Sequence, residues 1–528
     1  MNRKRLSAAF TLVELVVVIA VLGILFSLTV VGFNAWRSQV AEAEVKNDVL
    51  GILTGMDNAR NRLNAYPVLA EGDEFNGSSN TKDIYTQSRF VTATYRQGDG
   101  SAYCVDIRSK VVPGAYLFLN TANGNKSAKV GTCEGGEGST PPSTDQTVFV
   151  FNTAAPGCAG TVQLPVSVPA SGGTIDWGDG TVQPRTSSLM SHTYATAGKY
   201  TASYTGPIDW GSYYLNVDPV KAKCLTRVQQ WASNINPVRI SFSNASNLVY
   251  VAEPPHSLTD MSTMFDGASS FNQPIGNWDV SRVTRMDYMF MNASSFNQPL
   301  NSWDVSKVVT MRYFLLGTAF NQPLDAWDTS SLVNMSGVFS STPFNQNINN
   351  WNTSNVQNLD QTFSSNVVFN QPLNNWDTSN VTSMNSTFYG SKVFNQDISD
   401  WNTSNVTNMS TMLLGANAFN QPIGKWDVSK VTTMRGMMQM LYSFNQPLNS
   451  WNTSNVTDML GMFYGMSSFN QPLNNWDTSK VTNFASMFYG AGSFNQNISN
   501  WNTTSMVTGT SFRTSSPLST ANTPPALR

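Results

Sequence analysis

The chain has 528 residues, of which only 12% are charged, and its formal net charge is -2. At roughly 100 to 200 residues per domain, this length predicts several modules rather than one compact core. The near-neutral charge excludes a chain-wide attraction to nucleic acid, so nucleic acid is not an expected partner.

A basic N-terminus precedes one long apolar segment. Residues 1–9 carry Arg3, Lys4 and Arg5, and the apolar run covers residues 10–33. This run is long enough to cross a bilayer as a helix. The positive-inside rule keeps the N-terminus in the cytoplasm and places everything after residue 34 outside. The small residues before the run, unlike those of a secretory signal, place any cleavage in front of it.

The string AAFTLVELVVVIAVLGIL resembles the N-terminus of type IV pilins and pseudopilins. The resemblance implies that a prepilin peptidase cuts between Ala9 and Phe10, that Phe10 is then N-methylated, and that the chain assembles with other pilin-like subunits. The family usually has Gly where Ala9 stands. The resemblance also assigns Glu14 to filament assembly, and a carboxylate inside a lipid-facing helix usually has such a partner. The alternative is a plain membrane anchor.

Residues 10–133 are predicted to form a pilin-like domain. Apolar residues at near-helical spacing predict one long helix over 10–65, whose transmembrane part is 10–33. Short runs such as RFVTATY, AYCVDI and GAYLFL, separated by Gly and Asn turns, then predict the strands of a small α+β head. Residues 134–146 are rich in Gly, Ser, Thr and Pro and predict a linker.

Residues 147–225 contain short β-rich runs with turn residues between them, which predict a small β-sandwich. IDWGDGT at 175–181 and HTYATAGKYT at 192–201 resemble the polycystic kidney disease (PKD) repeat, an immunoglobulin-like sandwich. Asp176 and Asp179 are interpreted as residues of a hairpin turn, with a calcium site as the alternative. No metal or cofactor is predicted.

All four cysteines lie beyond the apolar segment, on the side that export places in an oxidising compartment. Of the three pairings that four cysteines permit, sequence order favours Cys104 with Cys133 and Cys158 with Cys224. Each of these pairs closes a loop inside one predicted module.

Tryptophan recurs every 24 or 25 residues in the C-terminal half, and such a fixed period predicts a solenoid. Each unit reads close to FNQPLNxWDTSxVTxMxxMFxGAxS, with apolar positions that stacking would bury. The repeats span 266–510, after a divergent N-terminal cap at 226–265. The tail, 511–528, has too few apolar residues to order itself and is predicted to be disordered. The recurring residues are Trp278, Trp303, Trp327, Trp351, Trp376, Trp401, Trp426, Trp451, Trp476 and Trp501.

These tryptophans are predicted to form the repeat core, and the alternative is a ladder of rings on which sugars stack. The Asp or Asn after each Trp is predicted to cap a tight turn, with calcium ligation as the alternative. The repeats resemble the BspA-like leucine-rich-repeat surface proteins, which implies a leucine-rich-repeat-like solenoid, surface display and adhesion to matrix proteins or other cells.

The expected fold is therefore multidomain: a transmembrane pilin helix with a small α+β head, a β-sandwich and a C-terminal solenoid. From residue 254 onward the chain has no Glu and no Cys, which removes most catalytic arrangements, so an enzyme is not expected.

The predicted function is a minor or tip subunit of a type IV pilus-like filament that binds an extracellular protein or glycan. The predicted location is the bacterial cytoplasmic membrane before assembly and the cell surface or filament afterwards. One alternative is a structural pseudopilin of a type II secretion or DNA-uptake system. Another is a membrane-anchored surface protein outside any filament.

Overall fold

The chain divides into two compact units, Met1–Pro141 and Pro142–Arg528. The predicted leader, the long helix over 10–65 with its membrane span, and the linker up to residue 145 lie outside the described residues. In the part of the chain that is described, no helix has the length and apolar character needed to cross a bilayer. The computed structural model describes residues 91–98, 103–109, 116–120, 129–130, 146–164, 173–185, 190–206, 218–233, 235 and 237–528.

The described backbone of the first unit is an antiparallel sheet in the order β1-β2-β3-β4. A β-bulge interrupts the pairing of β1 with β2 between Tyr95 and Gln97. The short strands predicted here as runs separated by Gly and Asn turns are confirmed. The four strands are β1 (Val91–Gly98), β2 (Tyr103–Ser109), β3 (Tyr116–Asn120) and β4 (Lys129–Val130).

The second unit opens with two sheets, one of six strands in the order β12-β11-β5-β10-β7-β8 and one formed by β6 and β9. The central strand, β5, reads QTVFVFN and is buried over its five inner residues, as expected for a strand covered on both faces. The helix and strands of this part of the second unit are β5 (Gln146–Asn152), β6 (Thr161–Gln163), β7 (Thr174–Asp176), β8 (Val182–Pro184), β9 (Ser191–Thr193), β10 (Lys199–Thr205), α1 (Pro219–Ala222), β11 (Leu225–Gln230) and β12 (Tyr250–Val251).

The IDWGDGT segment forms the hairpin that joins β7 to β8, as predicted. Asp176 accepts a hydrogen bond from the N–H of Gly178 at 2.9 Å, and Asp179 accepts one from the N–H of Thr181 at 3.0 Å. Gly178 has a φ of 78°, and a Cβ at this position would lie 2.2 Å from the carbonyl oxygen of Thr201. Only glycine fits this turn.

A disulfide joins Cys158 to Cys224, whose Cα atoms are 4.9 Å apart. Cys224 immediately precedes β11, which pairs antiparallel with β5 and parallel with β12 of the first rung. The sequence boundary at residue 225 therefore falls where one strand belongs both to the sheet and to the start of the solenoid.

The solenoid is held by a chain of single-residue parallel bridges that runs from Arg239 to Thr508. We call the residue of each rung that makes this contact its bridge position. After it, alternate backbone N–H groups donate to the next rung: Met261 to Arg285 at 2.9 Å and Phe265 to Met289 at 2.7 Å. Every rung is thus tied to the next through its main chain, although no long strand forms.

The rungs share one core with the sheets, and its buried side chains run from Phe149 to Leu527. Within it, phenylalanines of successive rungs stack at regular intervals, as for Phe394 and Phe419 with ring centroids 6.1 Å apart. Helix is nearly absent from the described residues, where α1 has four residues and a 3-10 helix, Pro525–Leu527, has three. The predicted repeat fold is thus present.

The prediction of a disordered tail at 511–528 is wrong. This segment folds back over the last rung, where Leu518 is 1% exposed, Thr523 is fully buried and Leu527 is 5% exposed. The side chain of Leu527 lies against Gly509. An open end of a solenoid exposes apolar rings, so a few well-placed apolar residues are enough to order a short cap.

Candidate binding face of the solenoid

The predicted N-terminal site residues Ala9, Phe10 and Glu14 lie outside the described residues, and so does Cys133. Cys104 lies in β2, where the structure describes the backbone alone. The solenoid, by contrast, is described throughout residues 237–528.

The ten repeat tryptophans lie in the core, each with 2% to 4% of its surface exposed. From the second Trp rung onward each indole N–H donates to a Leu or Ile carbonyl of the preceding rung, as Trp401 does to Leu373 at 3.1 Å. Trp376 and Trp401 stack with centroids 6.1 Å apart. Their faces are covered by protein, so no sugar has access to stack on them.

A second ladder is made of asparagine and glutamine. The side-chain oxygen of Asn395 accepts hydrogen bonds from the backbone N–H of Asn420 at 2.9 Å and from the amide of Gln421 at 3.0 Å. The same pair of bonds recurs from Asn272 to Asn495, where Ser519 and Asn522 of the cap replace the next rung. The FNQ triplet therefore ties rungs together and is not free for a ligand.

The Asp or Asn after each tryptophan caps a tight turn, as predicted. Asp377 accepts a hydrogen bond from the N–H of Ser379 at 2.9 Å, and Asn402 accepts one from the N–H of Ser404 at 3.1 Å. Hydrogen bonds from Ser379 also hold the pKa of the Asp377 carboxyl below its usual value. These side chains already have a structural role in the turn.

The constant residues of each rung are buried or bonded between rungs, whereas other positions change from copy to copy, among them four that lie on one surface. They are the bridge position and the positions two, three and six residues after it, and we call their surface the variable face. Six residues after the bridge the side chains range from Asp to Tyr. In chain order they are Asp266, Met291, Leu316, Ser340, Ser364, Tyr389, Leu414, Gln439, Tyr464 and Tyr489.

Contacts between rungs show that these four positions form one continuous surface. The bridge residue Thr310 donates to Asp287, which lies two positions after the previous bridge. Arg312 lies over the ring of Tyr288, three positions after its bridge. A side chain added at Gly436 would meet Gln439 and Leu414, each of which lies six positions after the bridge of its own rung.

The variable face carries an ionic network on two adjacent rungs. Asp287 is 2% exposed, and its carboxylate accepts hydrogen bonds from Arg285 at 2.9 Å and from the side chain of Arg312 at 3.1 Å. It also accepts bonds from the hydroxyl of Thr310 and the backbone N–H of Arg312. Burial alone would raise the pKa of Asp287, but the hydrogen bonds from Arg312 and Thr310, together with the charge of Arg312, outweigh it, so the pKa lies below the usual value and the carboxylate is charged at neutral pH.

Aromatic rings lie beside this network and at the far end of the same face. Tyr288 and Tyr313 stack with centroids 5.4 Å apart, and Tyr313 packs over Gly337 of the following rung. Tyr464 and Tyr489 stack at 4.9 Å. Tyrosine and arginine are among the side chains most enriched at binding hot spots.

Sequence reasoning did not single out these residues, because the repeat pattern recorded their positions only as x. The signal was nevertheless present: each Trp rung keeps its Trp and the Phe of its FNQ triplet, whereas the x positions of TxMxxMFx carry residues such as Arg, Asp and Tyr. Comparing the copies with one another, rather than averaging them, would have located the variable face.

Three segments of the chain, residues 238–343, 317–426 and 416–520, match the family described as Mycoplasma protein of unknown function, DUF285. Together they cover more than half of the sequence. Residues 4–30 match the prokaryotic N-terminal methylation motif, which confirms the predicted pilin-like leader at that coarser level. No curated protein and no solved structure matches the chain. The PKD-like and leucine-rich-repeat assignments stay predictions.

Proposed function

The chain belongs to the family described as Mycoplasma protein of unknown function, DUF285, and from this premise we propose that it is a pilin-like adhesin. It binds rather than catalyses, and it does so at the cell surface through the variable face of its solenoid.

The methylation motif at residues 4–30 supports the proposed route to the surface. In this proposal a prepilin peptidase cuts between Ala9 and Phe10, and the new N-terminus at Phe10 is methylated. Residues 10–33 hold the chain in the cytoplasmic membrane until Glu14 pairs with the N-terminal amine of a neighbouring pilin-like subunit.

The observation that carries the adhesin proposal is the division of each rung into constant and variable positions. The constant positions make the Trp, Asn and main-chain ladders that hold the stack, as Trp401 and Asn395 do. The variable positions align on one surface, so a partner meets many different side chains on one scaffold. Such a surface suits recognition of an extracellular protein or glycan.

Size supports a sparse placement. The second unit extends from residue 142 to 528, far more chain than the pilin-like stem and head that precede it. A subunit of this bulk does not suit every position of a slender filament, so we propose a minor or tip subunit present at low stoichiometry.

Immunogold microscopy of intact cells tests the placement, with antibody against the solenoid and with Glu14→Ala as the variant. Gold at filament tips that is lost in the variant supports the proposal. Even label over the envelope in both strains points instead to a membrane-anchored surface protein outside any filament. A strain that loses secretion or DNA uptake when residues 1–33 alone are deleted points to a structural pseudopilin.

Binding is tested separately by counting cells that attach to surfaces coated with matrix proteins or glycans. The control strain carries a chain shortened after residue 237, which keeps the N-terminal unit and strands β5 to β11 but removes β12 together with the rungs. Equal attachment by the two strains on every coating contradicts an adhesive role for the solenoid.

A further inference from the structure

Two carboxylates of the variable face make the same clasp between rungs, but only one of them holds arginines. Asp360, like Asp287, lies two positions after a bridge and accepts hydrogen bonds from a hydroxyl and a backbone N–H of the next rung. For Asp360 the donors on the next rung are Ser383 and Asn385, and the amide of Asn358 on its own rung donates at 3.3 Å. No ion pair involves Asp360 within the described residues. The clasp between rungs therefore forms without arginine.

Arg285 and Arg312 are thus additions to a clasp that is complete without them. Each uses one terminal nitrogen on the buried Asp287, while 51% of the Arg285 side chain and 39% of the Arg312 side chain remain exposed. The guanidinium of Arg312 also lies over the ring of Tyr288. A guanidinium has five N–H donors in a planar fork, so the carboxylate that fixes one edge of Arg285 does not occupy all of its donors. Fixing the two groups in advance lowers the entropy cost of binding an anion.

We propose that these two arginines, with the stacked tyrosines beside them, bind the sulfate or carboxylate groups of an acidic glycan. The inference rests on the proposed function, because it names the ligand class of the variable face. The guanidinium groups pair with the anionic groups in bidentate fashion, and the tyrosine rings contact the sugar ring faces.

The main chain argues for a glycan over an acidic peptide. In these rungs the N–H groups of Met286, Tyr288 and Phe290 already donate to the following rung. No strand edge is open here for a peptide to extend, so recognition depends on side chains alone. Planar guanidinium and phenol groups suit charged sugars under that restriction.

The test measures binding of the full-length chain, kept soluble in a mild detergent, to immobilised polysaccharides. Heparin presents sulfate, polygalacturonate presents carboxylate, dextran is neutral and poly-glutamate presents carboxylates on a peptide. The variant is Arg285→Gln, which leaves the bonds of Asp287 to Thr310 and Arg312 in place. The control is Arg435→Gln, which removes the same charge from the same face at a side chain 56% exposed.

We expect binding to at least one acidic polysaccharide, a loss of about tenfold in affinity for Arg285→Gln and less than a twofold change for Arg435→Gln. Added salt should weaken the binding. Equal losses in the two variants, or no binding to either acidic polysaccharide, overturn the inference. Binding to poly-glutamate as tight as to the glycans overturns it in favour of an acidic protein.

The cell attachment assay separates this inference from the proposed function. Cells carrying Arg285→Gln that attach to every coating as well as wild-type cells refute the glycan site but leave the adhesin proposal standing. Cells on which the unaltered chain shows no surface label refute the adhesin proposal itself.

Discussion

Replacing a core tryptophan in the middle of the stack tests whether the rings hold the solenoid or serve as a surface for ligands. Trp401 is 3% exposed, donates to Leu373 and stacks on Trp376. Trp401→Ala removes a fully packed side chain, for which losses of about 3 to 5 kcal/mol are typical.

Trp401→Phe separates the contribution of the indole hydrogen bond from that of packing. The Leu373 carbonyl also accepts the backbone N–H of Trp376 at 3.2 Å, so it keeps one donor when the indole N–H is removed. We therefore expect only about 1 kcal/mol for the lost hydrogen bond. The smaller ring adds about 1 kcal/mol for lost packing, giving about 2 kcal/mol in total.

Thermal unfolding of the unit 142–528 followed by circular dichroism measures both losses. At about 2 °C per kcal/mol for a unit of this size, Trp401→Ala should lower the Tm by about 6 to 10 °C and Trp401→Phe by about 4 °C. The control is Tyr389→Ala, an aromatic 40% exposed on the neighbouring rung, which should change the Tm by less than about 1 °C. If Trp401→Ala leaves the Tm unchanged but abolishes ligand binding, the structural assignment of the tryptophans is refuted.

Three further predictions concern stability, each measured by urea unfolding of the same unit. Asn395→Ala leaves the backbone N–H of Asn420 without its acceptor, although the Gln421 amide keeps its bond to the Asn395 carbonyl at 2.9 Å, and should cost about 1 to 2 kcal/mol. Asn395→Asp keeps a side-chain acceptor and should cost less. Reducing the Cys158–Cys224 bond, which closes a loop of 66 residues, should cost about 4 kcal/mol, because the unfolded chain gains conformational entropy when the bond is absent. An unchanged midpoint of urea unfolding would contradict this prediction. Burial raises the pKa of Asp266 to about 6. The folded state then binds more protons than the unfolded state between about pH 4 and 6, so stability should fall as the pH rises through this range. Asp266→Asn should remove that dependence and stabilise the unit at neutral pH by up to about 2 kcal/mol.

The repeat period predicted the stacked architecture because it reflects apolar side chains that must meet their own copies in the next rung. It did not predict how the backbone turns. From Asp260 onward, the residue three positions after each bridge has a positive φ, and it is often a non-glycine such as Tyr288 at 59° or Tyr313 at 52°. For a non-glycine residue in isolation this left-handed conformation costs about 1 kcal/mol, so local propensity favours a negative φ. Hydrogen bonds to the neighbouring rungs stabilise it, and they do not exist until the stack forms.

The tail shows a related limit. Counted alone, residues 511–528 have too little apolar surface to fold, and composition correctly says so. Their order comes from packing on the last rung, whose apolar end would otherwise be exposed and is covered by Leu518 and Leu527. Composition describes a segment in isolation, whereas a terminal segment becomes ordered or stays disordered according to the surface on which it can pack.

The comparison of Asp287 with Asp360 leads to a more general point about how this solenoid acquires specificity. Both carboxylates tie one rung to the next through the same two bonds, so this contact forms with or without arginine. The two places differ in the neighbouring side chains. Asp287 has Arg285 at its own bridge and Arg312 two positions after the next bridge, whereas Asp360 has Asn358 and Asn385 at these positions. Since stacking does not depend on these choices, a rung can change its surface chemistry while the ladders beneath it stay the same. Recognition can therefore be altered one rung at a time, without the loss of stability that a change in a shared core residue brings.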